Sequence, residues 1–374
     1  MPLSPSQVEQ FLREQVAPYA NVMDHNAIAL KTAFQELGQH SWLGLRLPRI
    51  WQGAEVSEPE YRQFQELVAR YSGALAFLQV QHQSAGAFLL RSENESLKQT
   101  YLPQMATGQI GVGVGFSHLR RTGKPPLQAF PVADGYQMQG TVPWITGFGI
   151  FQAVIVAAVL PDDRAVYGLI PFTPTEQAQG GCLRFSDPMP LAAMTSTQTV
   201  QAEFQNWWLA TDQVVLIQPA QAIHTSDMAN VLQHSFFALG CARAGLDVMA
   251  EELQRRSQDT ILEDSLPMPE QVYQTLKQEW QECRSAIYAA DHQPFQERLN
   301  LRGWAIELAG RCAHAAVTVS AGAANSLHHP AQRIYREALV FTIAGQTSTV
   351  MQATLSRFIA RQRQNCCLKP EGSE

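Results

Sequence analysis

The chain has 374 residues, 45% of them apolar, more than one hydrophobic core usually holds, so two or three subdomains are expected. Its 33 acidic against 27 basic side chains give a formal net charge of -6, which argues against nucleic acid or an anionic membrane as the main partner. No apolar run approaches the roughly 18 to 20 residues of a membrane helix, so no span is expected.

From Ser4 to about Ile110 the hydrophobic period is helical. "SPSQVEQFLREQVAPYA" opens with a serine cap and a proline in the first turn, and "SEPEYRQFQELVARYSGALAFLQVQHQSAGAFLL" keeps apolar residues three and four apart. At Gly111 the period becomes two: "GVGVGF", "GYQMQGTVPWIT", "AVIVAAVL", "AVYGLIPF" and "VQAEFQNWWLA" are separated by Gly, Pro and Asp clusters. The GxG in "GVGVG" lies in a strand-like run with no helix opening after it. It reads as close backbone approach to something flat rather than as a dinucleotide fingerprint. The helical period returns in "DMANVLQHSFFALGCARAGLDVMAEELQRR" and "RGWAIELAGRCAHAAVTVSAGAA", with breaks at "LEDSLPMPE" and "SLHHP". The expected fold class is α+β, mainly α: a helical domain over 1–110, a β domain over 111–217 and a helical bundle over 218–374.

The six cysteines (Cys182, Cys241, Cys283, Cys312, Cys366, Cys367) show no CxxC spacing. The N-terminal "MPLSPSQVEQFLREQ" is polar and helix-like rather than a secretory leader, so reduced thiols and a cytoplasmic location are expected. His328 and His329 have no partners at metal-ligand spacing and read as a helix-start turn before Pro330, so no metal is expected.

Three segments carry a resemblance. They are "YLPQMATGQIGVGVGFS" (101–117), "DGYQMQGTVPWITGFGIFQAVIVAA" (134–158) and "HHPAQRIYREALVFTIAGQTSTVMQATLSRFIAR" (328–361). In this order they resemble the acyl-CoA dehydrogenase superfamily of flavoproteins, over nearly the whole chain. The resemblance implies a helical domain, a β-barrel-like middle domain and a four-helix bundle, with FAD as cofactor. An isoalloxazine ring needs an aromatic wall and a few hydroxyl or amide donors. By resemblance, Trp144 lies against the ring, Thr146 next to Ile145 donates toward it, and Ser117 lines the pyrimidine side with the backbone near Phe116 and His118. Thr347 and Thr349 stand where the family contacts the adenosine half. Gly322 and Ala323 stand where it passes the diphosphate, and Arg256 where an arginine reaches a neighbouring subunit's FAD, a role suited to a guanidinium. A homodimer or homotetramer follows from that last role.

The chemistry implied by the resemblance needs a carboxylate base, and here it is missing. At the family's usual glutamate position stand Ala344, Gly345 and Gln346, with the glutamate itself absent at Gly345. A minority branch places it on the first bundle helix, at or near Asn230 here; Asp227, one turn earlier, reads as a cap or first-turn acid of that helix. The family's acidic, glycine-rich loop after Ser117 is replaced by "HLRRTGKPP". There Arg120, Arg121 and Lys124 are candidate substrate contacts for a phosphate or carboxylate, and His118 is the candidate replacement acid or base. Three readings stay open. The first is α,β-dehydrogenation of an acyl thioester on CoA or a carrier protein, with an electron-transfer partner. The second is a flavin-dependent monooxygenase supplied by a flavin reductase, and the third a degenerate homologue that binds an acyl chain or partner protein.

Overall fold

A computed structural model describes residues 4–258 and 267–366. They divide into a unit ending at Ser226 and a second beginning at Asp227. The break expected at "LEDSLPMPE" falls largely outside the described residues. No helix among the described residues is long and apolar enough to cross a membrane.

The first unit opens with helices α1 (Pro5–Phe11), α2 (Ala20–Met23), α3 (Ala27–Gln39), α4 (Glu58–Tyr71), α5 (Gly73–Leu90) and α6 (Glu95–Ala106). Side chains fix several of their starts, though not the one expected at Ser4. Asn26 caps α3, Ser57 and Glu60 form a capping box on α4, and Ser72 caps α5. Ser4 does precede α1, but its hydroxyl meets Ser6 and makes no cap bond. Helix α5 is buried along most of its length, and its polar residues are paired inside. Gln79 donates to Gln65 and Gln83 donates to Gln79 at 2.7 Å. His82 joins helix to sheet: its Nε2 donates to Met105 O at 3.0 Å, and Nδ1 accepts from Val112 N at 3.1 Å. Burial holds this ring neutral, with its pKa pushed down to about 4.

Nine strands follow among the described residues: β1 (Val112–Gly115), β2 (Leu127–Val132), β3 (Gly135–Ile145), β4 (Ala153–Val159), β5 (Arg164–Pro171), β6 (Thr175–Glu176), β7 (Cys182–Phe185), β8 (Val200–Ala210) and β9 (Val214–Pro219). They form one sheet in the order β6-β7-β8-β3-β2-β4-β5-β9, and β1 joins β4 in parallel. All seven residues of β4 are buried, which is why "AVIVAAV" is continuously apolar instead of alternating. Leu89, Leu102, Val112, Ile155 and Tyr167 belong to the core where α5 and α6 cover β1, β4 and β5.

The flat object that the glycines of "GVGVG" admit is internal. A Cβ on Gly111 would stand 2.6 Å from the Phe151 ring, one on Gly113 2.9 Å, and one on Gly147 2.3 Å, so all three make room for that phenyl group. Phe34 meets Phe151 edge-on at 5.4 Å between centroids.

The second unit takes in the end of α7 (Ala222–Ala229), then α8 (Ser235–Ser257), α9 (Pro267–Tyr288), α10 (Phe295–Ser320), α11 (Pro330–Ile343) and α12 (Ser348–Cys366). Helix α10 is its centre and packs against α8, α9, α11 and α12. Close crossing is set by Gly245, whose Cβ would stand 2.8 Å from the Cys312 backbone, and by Gly303 against Ala353. Arg311 bridges α9 and α10, donating to Glu279 Oε2 at 2.8 Å and Glu307 Oε1 at 2.7 Å, and Trp304 Nε1 donates to the same Glu279. Cys241, Cys283 and Cys312 are free, buried thiols whose pKa values burial pushes up, to about 12 for Cys312. Two readings of this region meet the structure differently. His329 caps α11 through Nδ1, as the expected turn before Pro330 requires. The first bundle helix does not start at Asp227: α7 ends at Ala229, the chain turns through Asn230–His234, and α8 begins at Ser235. Asp227 therefore sits in the last turn of a short helix, where a carboxylate gains nothing from the helix dipole.

Candidate functional site

In the first unit the expected flavin residues collect at the end of β3. Between Val142 and Ile145 the pairing of β3 with β8 shifts register, three steps along β3 matching two along β8 from Ala202 to Val200. Pro143, which has no N–H to give the ladder, lies in this bulge, and the extra residue re-aims Trp144. Trp144 is 46% exposed, while Ile145 and Thr146 beside it are buried. A tryptophan turned outward on a rigid strand, with its neighbours anchoring it in the core, is a wall against which a flat ring can stack.

Thr146 belongs to a hydroxyl chain. Its Oγ1 lies 3.1 Å from Thr199 Oγ1, which is 3.5 Å from Thr197 Oγ1, and Thr197 donates to Met194 O at 2.7 Å. Each hydroxyl has one hydrogen, and Thr197 has spent its own. If Thr199 donates to Thr146, the Thr146 hydrogen is free for an external acceptor; if Thr199 donates to Thr197, it is not. The loop holding these threonines is pinned by Asp24, whose Oδ1 accepts from Met194 N at 2.7 Å. It is left-handed at Met194 and Gln198, an uncommon backbone for side-chain-bearing residues.

Ser117 is exposed at the start of a 3-10 turn over Ser117–Arg120. The Phe116 side chain faces inward, into a trio with Phe88 at 4.6 Å and Tyr167 at 5.6 Å, so only its backbone is available beside Ser117. His118 is buried. Its Nε2 donates to Ala157 O at 2.9 Å, and its Nδ1 is enclosed with no hydrogen-bond partner. Desolvation first, and then the charge of Arg121, push its pKa down to about 4. The ring is thus a neutral anchor of the turn to β4, and Ser117 gets its position from it. Arg121 and Lys124 are exposed and Arg120 half-buried.

In the second unit the residues group around the end of α11. Ala344 is its C-cap and Gly345 follows with φ +60°, the left-handed glycine that commonly ends a helix. A Cβ on Gly345 would stand 2.4 Å from His234 Nε2 and 2.5 Å from His234 Cδ2. The space above the glycine is therefore filled by an imidazole from the turn before α8. Arg302, buried on α10, joins the two segments, its Nη1 donating to Val231 O at 3.1 Å and its Nη2 to Ala344 O at 2.8 Å. Gln346 Oε1 is enclosed without a partner.

Sequence reasoning missed His234. The available signal was its place one helical turn beyond Asn230, the position counted for the alternative base. Glu337, the acid just upstream, is fully buried and bound to Arg333 at 2.8 Å, an i,i+4 pair inside the bundle. Thr347 has a local task as well: its Oγ1 accepts from Val350 N at 3.3 Å, starting α12, and lies 2.9 Å from Thr349 Oγ1. Arg256 is half-buried, with Nη2 donating to Val319 O and Nε enclosed without a partner, so only part of its fork remains for an external phosphate. A Cβ on Gly322 would meet nothing, leaving open space where a diphosphate contact was expected.

A family model described as the acyl-CoA dehydrogenase N-terminal domain matches residues 5–109. The chain is 22% identical over 366 residues to a probable acyl-CoA dehydrogenase of Bacillus subtilis, covering 94% of this chain and 95% of that one. It is 21% identical to a 3-(aryl)acrylate reductase of Clostridium sporogenes, over 66% of this chain and 67% of the relative. Among solved structures, its fold is similar to a glutaryl-CoA dehydrogenase of Mycobacterium smegmatis in complex with FADH2, with TM-score 0.79, 15% identity, and coverage of 95% and 93% of the two chains. It is also similar to an electron transferring flavoprotein structure of Acidaminococcus fermentans, with TM-score 0.78, 17% identity, and coverage of 96% and 97%. The layers, their order and these relationships define a class, that of flavin oxidoreductases acting on CH–CH groups. Residues 5–109 match the N-terminal domain of acyl-CoA dehydrogenases, and along nearly its whole length the chain is similar to members of that superfamily.

Proposed function

We propose that this chain is an FAD-dependent oxidoreductase that carries out α,β-dehydrogenation of an acyl thioester, on CoA or on a carrier protein. The observation that carries the flavin assignment is the bulge at Val142–Ile145, which exposes Trp144 while Thr146, on a threonine chain, stays fixed beside it. These residues fit an isoalloxazine ring: an aromatic wall, one hydroxyl with a conditional hydrogen, and Ser117 as an exposed second hydroxyl. When bound, the flavin supplies hydride acceptance. The protein's part is to stack on the ring through Trp144, to orient it through Thr146 and Ser117, and to remove a proton from the substrate. At the ADP end the proposed contacts are Gly322, Thr347, Thr349 and the free part of Arg256. Arg120, Arg121 and Lys124 are proposed to meet the substrate's phosphate or carboxylate. His118 enters as the anchor of Ser117 rather than as the proton acceptor, because its Nε2–H is given to Ala157 and its basic Nδ1 is enclosed.

The outward faces of α11 and α12 support self-assembly. Tyr335, Leu339 and Ile343 on α11, and Met351, Leu355 and Ile359 on α12, recur every four residues and are 45–60% exposed. Apolar stripes of this kind mark interfaces, which fits a homodimer or homotetramer. The electron acceptor is proposed to be a separate electron-transfer protein.

The test is anaerobic titration of the FAD-loaded protein with acyl-CoA thioesters. The expected result is loss of the oxidised flavin absorbance with appearance of the enoyl thioester. Protein that fails to take up FAD would refute the reading; product formed only with oxygen and a reductase would transfer it to the monooxygenase class.

A further inference from the structure

We propose that His234, through Nε2, is the proton acceptor that stands in for the absent carboxylate. This rests on the thioester reading given above. The turn after α11 has no acid or base of its own: Ala344 offers a methyl group, Gly345 no side chain, Gln346 an amide. The side chain that the geometry places where a Cβ of Gly345 would project is the His234 imidazole, through its Nε2–Cδ2 edge.

Two features fit the ring for this task. One side of it is apolar: Phe237 lies 5.9 Å away between centroids, stacked in turn on Phe341 at 5.7 Å, and Ala344 is buried. An acyl chain suits such a wall, and an imidazole brings a ring nitrogen whose lone pair can take up a proton. The ring's position over the glycine is also held from outside. Arg302 grips Val231 O on the segment that leads into His234 and the Ala344 and Gly345 carbonyls on the turn below it, so one buried cation sets the distance between ring and turn. In the step assigned to it, the α C–H bond of the thioester breaks heterolytically. The proton passes to Nε2, and the electron pair moves into the thioester carbonyl as an enolate; no oxidant is consumed.

The experiment measures that step without redox turnover. The full-length, FAD-loaded protein is incubated anaerobically in deuterium oxide with butyryl-CoA, octanoyl-CoA and 3-phenylpropionyl-CoA, and α-deuterium in recovered thioester is read by mass spectrometry. Wild type is expected to exchange at least one of them well above the buffer rate. His234→Gln is expected to lose about 100-fold or more, in the range a general base supplies, with unchanged flavin content and melting midpoint. His234→Glu, which returns a carboxylate, is expected to recover part of the loss. In protein labelled with 15N-histidine, the His234 signal, assigned by its absence in His234→Gln, is expected to shift on addition of the exchanging thioester. Equal exchange by wild type and His234→Gln would overturn the assignment alone. Flavin-loaded wild type that exchanges none of the three would overturn it together with the thioester reading.

Discussion

Arg302, buried in α10, donates through Nη2 to the carbonyl oxygen of Gly345 at 3.0 Å, and the same guanidinium reaches Val231 and Ala344. Replacing Arg302 by Met keeps the volume but strips three carbonyls of a charged donor, and a buried acceptor left unmet costs about 1–3 kcal/mol. The Arg302→Met protein is expected to lose about 3 kcal/mol or more in urea unfolding. Arg302→Lys should recover only a fraction, because an ammonium cannot span the three acceptors as a planar fork does. A change below about 1 kcal/mol for the methionine variant would show that this clamp is not what holds the turn.

Trp144 separates a binding role from a folding role. Because it is 46% exposed, its removal should leave the melting midpoint nearly unchanged. Loss of a stacked aromatic partner worth about 0.5–1.5 kcal/mol corresponds to roughly two- to twelvefold weaker FAD binding in Trp144→Ala, with Trp144→Phe near wild type. Flavin fluorescence titration measures this. Unchanged FAD affinity with lowered stability would return Trp144 to the core.

The layers of the fold were legible because period is local: the switch from three-and-four to two at Gly111, and back after the sheet, is written in adjacent residues. Trp144 at the end of β3 was singled out by resemblance, but the bulge that turns it outward depends on pairing with β8 and was not legible. What "GVGVG" made room for was not, because Phe151 meets Gly111 and Gly113 only after the chain has run out along β3 and turned back. His234 was hidden for the same reason. Its partner is a glycine between two other helices, and the count that leads to Asn230 stops four residues short of His234. The burial of His118 was not legible either, because its nearness to the flavin motif is a sequence fact, while its packing against Ala157 depends on β4.

The Phe151 packing yields a double-mutant test. Gly113 has an ordinary backbone, so Gly113→Ala adds only a methyl group, 2.9 Å from the ring, and overpacking of this kind costs about 1–3 kcal/mol. Phe151→Leu opens space at its own cost. In the pair the methyl occupies that space, so the two losses should fall short of additivity by at least about 1 kcal/mol in chemical unfolding. Strict additivity would mean that the ring and the glycine do not constrain each other.

Acid stability follows from the buried histidines. His118 has a native pKa near 4 against about 6.5 unfolded, so between those values the unfolded chain binds a proton that the native one does not. Stability is therefore lost as pH falls from about 6.5 toward 4, with a slope of up to about 1.4 kcal/mol per pH unit for this group. His118→Gln keeps a donor for Ala157 and removes the titration. Its stability relative to wild type should improve steadily as unfolding is repeated from pH 7 to pH 4.5, while His82 contributes equally to both proteins. Parallel curves for the two would indicate that His118 is not held neutral.

The apolar stripe of α11 and α12 gives the last test. Leu339 and Leu355 are each 51% exposed, so a charge at either position is solvated in an isolated chain and should alter monomer stability by no more than about 0.5 kcal/mol. Buried in an interface, the same charge would be desolvated without a partner, at a cost of several kcal/mol. The double variant Leu339→Glu/Leu355→Glu is therefore expected to shift to a smaller species in sedimentation at micromolar concentration, with each subunit's helical spectrum intact. If wild type already sediments as a monomer, or the variant assembles as wild type does, the stripe is not the assembly surface and the homo-oligomer must be built elsewhere.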